Sequence, residues 1–384
     1  MKIVVISNDV TPGFAVPVAA PGLRAAGLAE GLREHGHSVE VAVPADLLAN
    51  LFADGIPTPP PHTHVVAPPE LNGWIHNVGA EVVVFINSNL TPHLDPAAPV
   101  HYVYDLFAPK VLELEASPNP SPDHLAHLTT TKARAMAMAD SVWVNGARKL
   151  DYARSWLDRP DVVKLRTTFG RGSRGDQQLT LVAMPVPLPE GIAPEDAPSP
   201  ESIRLGIAGY AQGWSSLDTV HPGHQLLIDR GFELHVLLPS HWGSQTAPPP
   251  NALPAGIVEH HGPLEFGDFA RWVQSMSAMV DVFRPSPERH YAMITRSAVA
   301  LRLGVPLIHA VDSEISDIVR EFGAGWVLDP DDIDAWARAA TELSDHHQLD
   351  MHTAGAVNAS RERFAPGAAL SQASAELSAS LRDA

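Results

Sequence analysis

The residues of this chain best suited to chemistry stand where apolar runs end and helical periodicity begins. Phe283-Arg284-Pro285-Ser286-Pro287-Glu288 follows one such run and precedes a helical stretch. A chain that turns there and enters a helix presents free amides, which attract an anion. Glu288 lies at the turn, His290 and Tyr291 follow, and Arg296 sits in the mostly apolar stretch 292–303. Glu288 has a plainer reading as a helix-terminal charge, and Arg296 as a solvated helix residue. In the first half, Asp105 closes the run 100–104, which sets a carboxylate at the carboxyl edge of a sheet or caps the next helix. Glu113, about two turns on, is either its companion or a surface acid. Gly22 and Arg24 open the first helix, for close backbone approach or as an ordinary turn. Trp214 ends a small-residue loop that begins at Gly209, where packing is the plain alternative.

These positions need a scaffold, and the periodicity supplies one. Short β-branched runs at 3–6, 39–43, 82–86, 100–104 and 142–144 alternate with helical patterns, the first over 23–34 and stopped by Gly36. Such alternation predicts a parallel sheet with helices on both faces. Residues 185–200 are proline-rich and carry no apolar period, which marks a linker. The rhythm then restarts at 203–207, 233–238, 257–259, 279–283, 306–309 and 326–328. The expected fold is therefore α/β, with Rossmann-like doubly wound domains over 1–185 and 203–365. A linker over 186–202 joins them, and a terminal helix occupies 366–384. Such sheets bind ligands at their carboxyl ends, so a cleft between the domains is the expected site. A proline-rich hinge between independent cores should let the halves close as rigid bodies on ligand binding. Small-angle scattering would read that as a smaller radius of gyration, and an unchanged radius under saturating ligand would count against closure.

Composition narrows the ligand class. The 384 residues, 45% of them hydrophobic, suffice for two cores. Acidic residues outnumber basic ones by 44 to 26, a net charge of -18, so nucleic acid and anionic bilayers are not expected partners. A small anionic ligand must then be held by local cations and helix starts. There is no cysteine, hence no disulfide framework, thiolate site or Cys nucleophile. No apolar run is long enough for a membrane span, and a cytoplasmic protein is expected. The 36 prolines resemble the composition of high-GC bacterial proteins. After the first strand the chain reads Asn8-Asp9-Val10-Thr11-Pro12-Gly13, so the dinucleotide fingerprint is missing. Walker, zinc-protease and nucleophile-elbow motifs are missing too. His221/His224 and His260/His261 read as loop histidines, because metal sites need three or four convergent groups; no metal site is expected.

The segment 283–288, a helix, and then Gly304-Val305-Pro306-Leu307-Ile308 resembles the donor-binding region of retaining GT-B glycosyltransferases of the family-4 kind. Residues 312–319 and 323–332 are similar to that family's usual ending. Thr295-Arg296, eight residues before Gly304, and Asp105-Leu106-Phe107-Ala108-Pro109 with Glu113 match a subgroup active in polysaccharide and natural-product glycosylation. That subgroup carries Asp-Leu-Tyr-Asp-Pro, and here Phe107 replaces Tyr and Ala108 the second Asp. Pro21-Gly22-Leu23-Arg24 ahead of Gly36-His37-Ser38-Val39 is similar as well.

The resemblance implies the GT-B fold and glycosyl transfer from a nucleotide-diphosphate sugar, a co-substrate, with no cofactor and no metal. Transfer would retain the anomeric configuration. It implies a donor site of Gly209, Trp214, Ser286, Glu288, His290, Tyr291 and Arg296. Arg296 and the amides after Ser286 would meet the diphosphate and Glu288 the sugar hydroxyls. Asp105 would polarise the acceptor or steady the sugar, with Gly22, Arg24 and Glu113 on the acceptor side. The acceptor proton can pass to the departing phosphate. Arg296 stands where the superfamily places a second Glu, and residues 206–214 lack the Arg and Lys of many relatives. Charge neutralisation then falls to Arg296 and Arg284, and removing Arg296 should leave stability unchanged. The loops 45–69 and 170–178 carry no such signature, and the base, sugar and acceptor depend on them. A nucleotide-sugar epimerase or hydrolase, and a non-catalytic sugar-nucleotide-binding relative, stay open as alternatives.

Overall fold

The structure, a computed structural model, describes residues 1–52, 55–117, 119–196, 202–209, 221–237, 256–260 and 264–382. They form two compact units, Met1–Glu115 with Asn119–Pro187 and Ala365–Ala384, and Ala116–Pro118 with Leu188–Phe364.

The first unit is built on seven parallel strands: β1 (Lys2–Ile6), β2 (Ser38–Pro44), β3 (Thr63–Val66), β4 (Val82–Ile86), β5 (His101–Leu106), β6 (Ser141–Val144) and β7 (Gln178–Leu181). Their order is β3-β2-β1-β4-β5-β6-β7. Strands covered on both faces read as unbroken apolar runs, and Val82, Val83 and Val84 are fully buried. The strand order reverses between β1 and β4, where Ile6 pairs with Phe85. One strand arises in a stretch expected as a loop, and another begins where a second such stretch ends. β3 is a four-residue edge strand that follows the prolines at 57–61, and an edge is where strand-flanking proline is tolerated. β7 sits at the opposite edge, after the glycines at 170, 172 and 175.

The last helix, Pro366–Ser380, belongs to this unit. It packs on the first helix, Ala20–Glu34, where a Cβ on Gly31 would fall 2.4 Å from the Pro366 carbonyl oxygen. His35 Nε2 lies 2.8 Å from the Gly367 carbonyl, and His37 Nε2 lies 2.8 Å from Ser374 Oγ.

The second unit has six parallel strands: β8 (Arg204–Ala208), β9 (Glu233–Leu237), β10 (Val258–His260), β11 (Ala278–Asp281), β12 (Leu307–Ala310) and β13 (Gly325–Leu328). Their order, β10-β9-β8-β11-β12-β13, reverses between β8 and β11. Leu205, Leu234, Ile308 and Trp336 are fully buried in its core. Among the described residues no helix is long and apolar enough to cross a membrane.

Candidate functional site

A buried charged cluster of the second unit lies at the point where its strand order reverses, the place where open α/β sheets bind ligands. Asp281 ends β11 and is 3% exposed. Arg296 Nη2 donates to its Oδ1 at 2.6 Å, Ser297 Oγ donates to Oδ2 at 2.5 Å, and His309 Nε2 stands 3.7 Å from Oδ2. Burial alone would raise the Asp281 pKa, but Arg296 above all holds it well below the usual carboxylate range. Burial pushes His309 down, so its imidazole is neutral at neutral pH. His309 Nδ1 is 2.8 Å from the Ala310 carbonyl, which can only accept, so Nδ1 carries the proton and Nε2 is an acceptor.

Arg296 is fixed by more than its ion pair. Its guanidinium lies 4.9 Å from the centre of the Phe283 ring, and the Arg289 guanidinium lies 4.8 Å from the same ring. Gly209, which follows β8, has φ 131°, and a Cβ there would fall 2.9 Å from Arg296 Nη1. Only glycine lets the backbone pass that close in that conformation. Arg296 Nε has no hydrogen-bond partner among the described residues. The helix Thr295–Arg302 begins at Ile294 without a side-chain cap, so its first amides keep their donors. Asp281, Phe283, Arg289, Ile294, His309 and Ser313 line a shallow open depression here. Two guanidiniums beside uncapped amides, with the Asp281 and Glu288 carboxylates against them, are the chemistry that can meet an anion.

The other expected donor residues are distributed less simply. Ser286 caps the five-residue helix Pro287–Tyr291, its Oγ accepting from the Arg289 N–H at 3.1 Å while the His290 N–H donates to its carbonyl at 2.9 Å. Pro287 has no N–H, so the amides after Ser286 are largely engaged within the turn and offer an anion little. Glu288 is 5% exposed, with Arg289 Nε 3.7 Å from its Oε2. His290 Nδ1 lies 2.9 Å from Asp312 Oδ1, and its ring meets Tyr291 edge to face at 4.8 Å. Arg284, expected to share the phosphate charge, is exposed and paired with Asp331 at 2.8 Å; Arg289 takes the pocket position instead. Trp214 lies outside the described residues.

In the first unit, Asp105 and Arg24 are brought together. Arg24 Nη2 donates to Asp105 Oδ1 at 2.8 Å and Nε to Oδ2 at 3.1 Å, both side chains fully buried. Arg24 Nη1 also donates to the Val182 carbonyl at 3.2 Å. A carboxylate with both oxygens engaged and no exposed surface cannot polarise an acceptor, so the structure corrects that expectation: Asp105 anchors Arg24 between β5 and the chain leaving β7. Gly22 serves close approach, since a Cβ there would fall 1.7 Å from the Val10 carbonyl oxygen. Glu113 pairs with Lys110 at 3.1 Å on the helix Lys110–Glu115.

Asp281, Arg289 and His309 were not singled out from sequence. Asp281 carries a usable signal, an acid inside the otherwise apolar run 278–283. A charge in a buried strand needs a partner, and that requirement points to Arg296.

No protein-family model matches the chain, and no curated protein matches it. Solved structures do. A sucrose-phosphate synthase from Thermosynechococcus elongatus is 13% identical, with 100% of each chain covered and a TM-score of 0.72. Anabaena HepE, in complex with UDP-glucose, is 13% identical over 99% of this chain and 100% of its own, with a TM-score of 0.59. AviGT4, a glycosyltransferase involved in avilamycin A biosynthesis, is 14% identical over 100% and 99%, with a TM-score of 0.60. At such identities the likeness is one of architecture, and the chain has the GT-B fold of these glycosyltransferases.

Proposed function

We propose that the chain transfers a hexosyl group from a nucleoside-diphosphate sugar to a hydroxyl-bearing acceptor, with retention of configuration and without a divalent cation. The observation that carries this reading is the Arg296–Asp281 pair with Arg289 at the turning point of the six-stranded sheet. In a protein of net charge -18, two guanidiniums stacked against one ring, Phe283, are placed against the field of the whole molecule. Asp281 orients Arg296 before any ligand arrives, so charge on a departing diphosphate meets donors that need no reorganisation. A cysteine-free chain that uses an anionic soluble donor fits a cytoplasmic enzyme.

UDP-glucose is the first donor to test, since HepE is known in complex with it. Mass spectrometry of the products, with and without sugar acceptors, decides among the readings. A glycosylated product formed only with acceptor supports transfer. Free glucose released at the same rate without acceptor would make the protein a hydrolase, an altered sugar still on UDP an epimerase, and binding without turnover a non-catalytic relative.

Glu288 supplies a further test. Its proposed partner is a sugar hydroxyl, so Glu288→Gln should lower kcat by roughly tenfold to a hundredfold, the worth of a hydrogen bond to a charged group. UDP affinity, measured by calorimetry, should stay within about twofold. Parallel loss of UDP affinity would reassign Glu288 to holding Arg289 in place.

A further inference from the structure

One buried atom in the six-stranded unit faces a charge without touching it. His309 is 1% exposed, and its Nε2 has no hydrogen-bond partner among the described residues. Nδ1 lies 2.8 Å from the Ala310 carbonyl, with Ser313 Oγ at 3.5 Å, so a ring flip would forfeit the bond that Nδ1 makes. β11 and β12 pair with Asp281 level with His309, which sends both side chains off one face of the sheet. Nε2 stands 3.7 Å from Asp281 Oδ2, two acceptors with no hydrogen between them. Buried polar atoms are costly to leave unmet, and this pair lacks a single proton.

The surrounding elements set whether that proton arrives. Burial opposes it most. The charges of Arg289, on the helix Pro287–Tyr291, and of Arg296, on the helix Thr295–Arg302, oppose it too. Asp281 on β11 and the Ala310 carbonyl favour it. The helix Glu314–Phe322 meets the ring with its N-cap, Ser313, and β13 places Val327 beside His309; neither is charged. An anion at the guanidiniums changes one side of this balance only. Its charge offsets the two cations, while the burial of His309 is already complete and cannot grow.

Resting on the donor reading above, we propose that a diphosphate bound by Arg289 and Arg296 draws a proton from solvent onto His309 Nε2, where it bridges to Asp281 Oδ2. One N–H bond forms, a buffer acid gives up the proton, and no other bond changes. A movement of about 1 Å brings Nε2 and Oδ2 to the spacing of a charge-assisted hydrogen bond. His309 is thus a positioning residue: it holds Asp281, and through it Arg296, while the anion draws on the guanidinium. Departure of the nucleoside diphosphate releases the proton again. Coupling of this kind is reciprocal, so a ligand that raises the proton affinity of His309 is itself bound more tightly when the proton is on. The sign follows: affinity rises as pH falls through the pKa of the complex and levels off below that of the free protein.

The test is calorimetric titration of UDP-glucose into the full chain, in phosphate and in Tris at the same pH and ionic strength. The diphosphate of UDP-glucose is esterified at both ends and exchanges no proton near neutrality, so any uptake belongs to the protein. The wild type should show different binding heats in the two buffers, equivalent to an uptake of up to one proton per site. Between about pH 8 and pH 5, the range of imidazole titration, its affinity should rise as pH falls, by roughly tenfold for each unit that separates the bound and free pKa values. His309→Gln should abolish the difference between buffers and flatten the pH profile. Asp281→Asn keeps the imidazole but removes the carboxylate that shares the proton, and should abolish the uptake as well. His290→Gln, at the other histidine of this region, should keep it. Equal wild-type heats in the two buffers overturn the proton coupling and leave the donor reading standing, as does uptake that survives in His309→Gln or is lost in His290→Gln. A wild type that binds no UDP-glucose at any pH overturns the donor reading and the coupling with it.

Discussion

Asp105→Ala should destabilise the protein by about 3–5 kcal/mol, the cost of leaving one member of a buried ion pair uncompensated. For a unit of this size that is a fall of roughly 6–20 °C in melting temperature. The size of the effect follows from Arg24, whose guanidinium is fully buried and receives both of its carboxylate contacts from Asp105. Carbonyl oxygens at Val182 and Ala183 would remain, but they carry no charge to balance the cation. The double variant Arg24→Met with Asp105→Leu removes the cation as well and should recover most of the loss, since apolar replacements of buried pairs are often neutral. If Asp105 is an anchor and not a catalytic group, the double variant also keeps its turnover. A melting temperature unchanged in Asp105→Ala with turnover abolished would restore the catalytic assignment.

The same pair shows what the sequence could and could not convey. Asp105 at the end of an apolar run and Arg24 at the start of a helix were both visible, and neither announces the other across 81 residues of chain. A strand run states its burial because every residue in it is apolar: 3–6, 82–86 and 142–144 all became strands. The helix Ala45–Leu51 and strands β3 and β7 were hidden because each is short and flanked by proline or glycine, so loop chemistry dominated the window. The last helix was legible as a helix but not by its partner, because an amphipathic face records only that it is covered. Donor residues split along the same line. The Pro-Ser turn and Arg296 were readable as local patterns, whereas the use of Ser286 Oγ as a cap, the closure of Arg296 onto Asp281 and the approach of Gly209 are long-range or conformational facts.

Arg296→Ala should weaken UDP binding by roughly tenfold to a hundredfold, because a hydrogen bond to a charged group is worth about 1.5–3 kcal/mol. From sequence the same change was expected to leave stability alone, and the structure alters that part. Asp281 is buried, and without Arg296 it keeps the Ser297 hydroxyl, a neutral imidazole and the charge of Arg289. Its depressed pKa contributes stability above the unfolded carboxylate range that is lost as pH falls through the folded value, and Arg296 is the largest of the groups that lower it. Arg296→Ala should therefore lower the melting temperature at neutral pH and flatten its decline on acidification. Binding and stability must then be separated by a cycle with Asp281→Asn, which removes the buried charge and leaves the guanidinium beside Gly209 and Phe283. Asp281→Asn alone should keep UDP affinity within about tenfold, since the cation remains and only its orientation is loosened. The double variant should regain part of the melting temperature lost in Arg296→Ala while binding UDP no better than that single variant. Calorimetric titration and thermal melts of the four proteins measure both quantities. If Arg296→Ala binds UDP within about twofold of wild type while its melting temperature falls, Arg296 exists to neutralise Asp281, and the diphosphate must be met by Arg289 and the uncapped amides at Thr295.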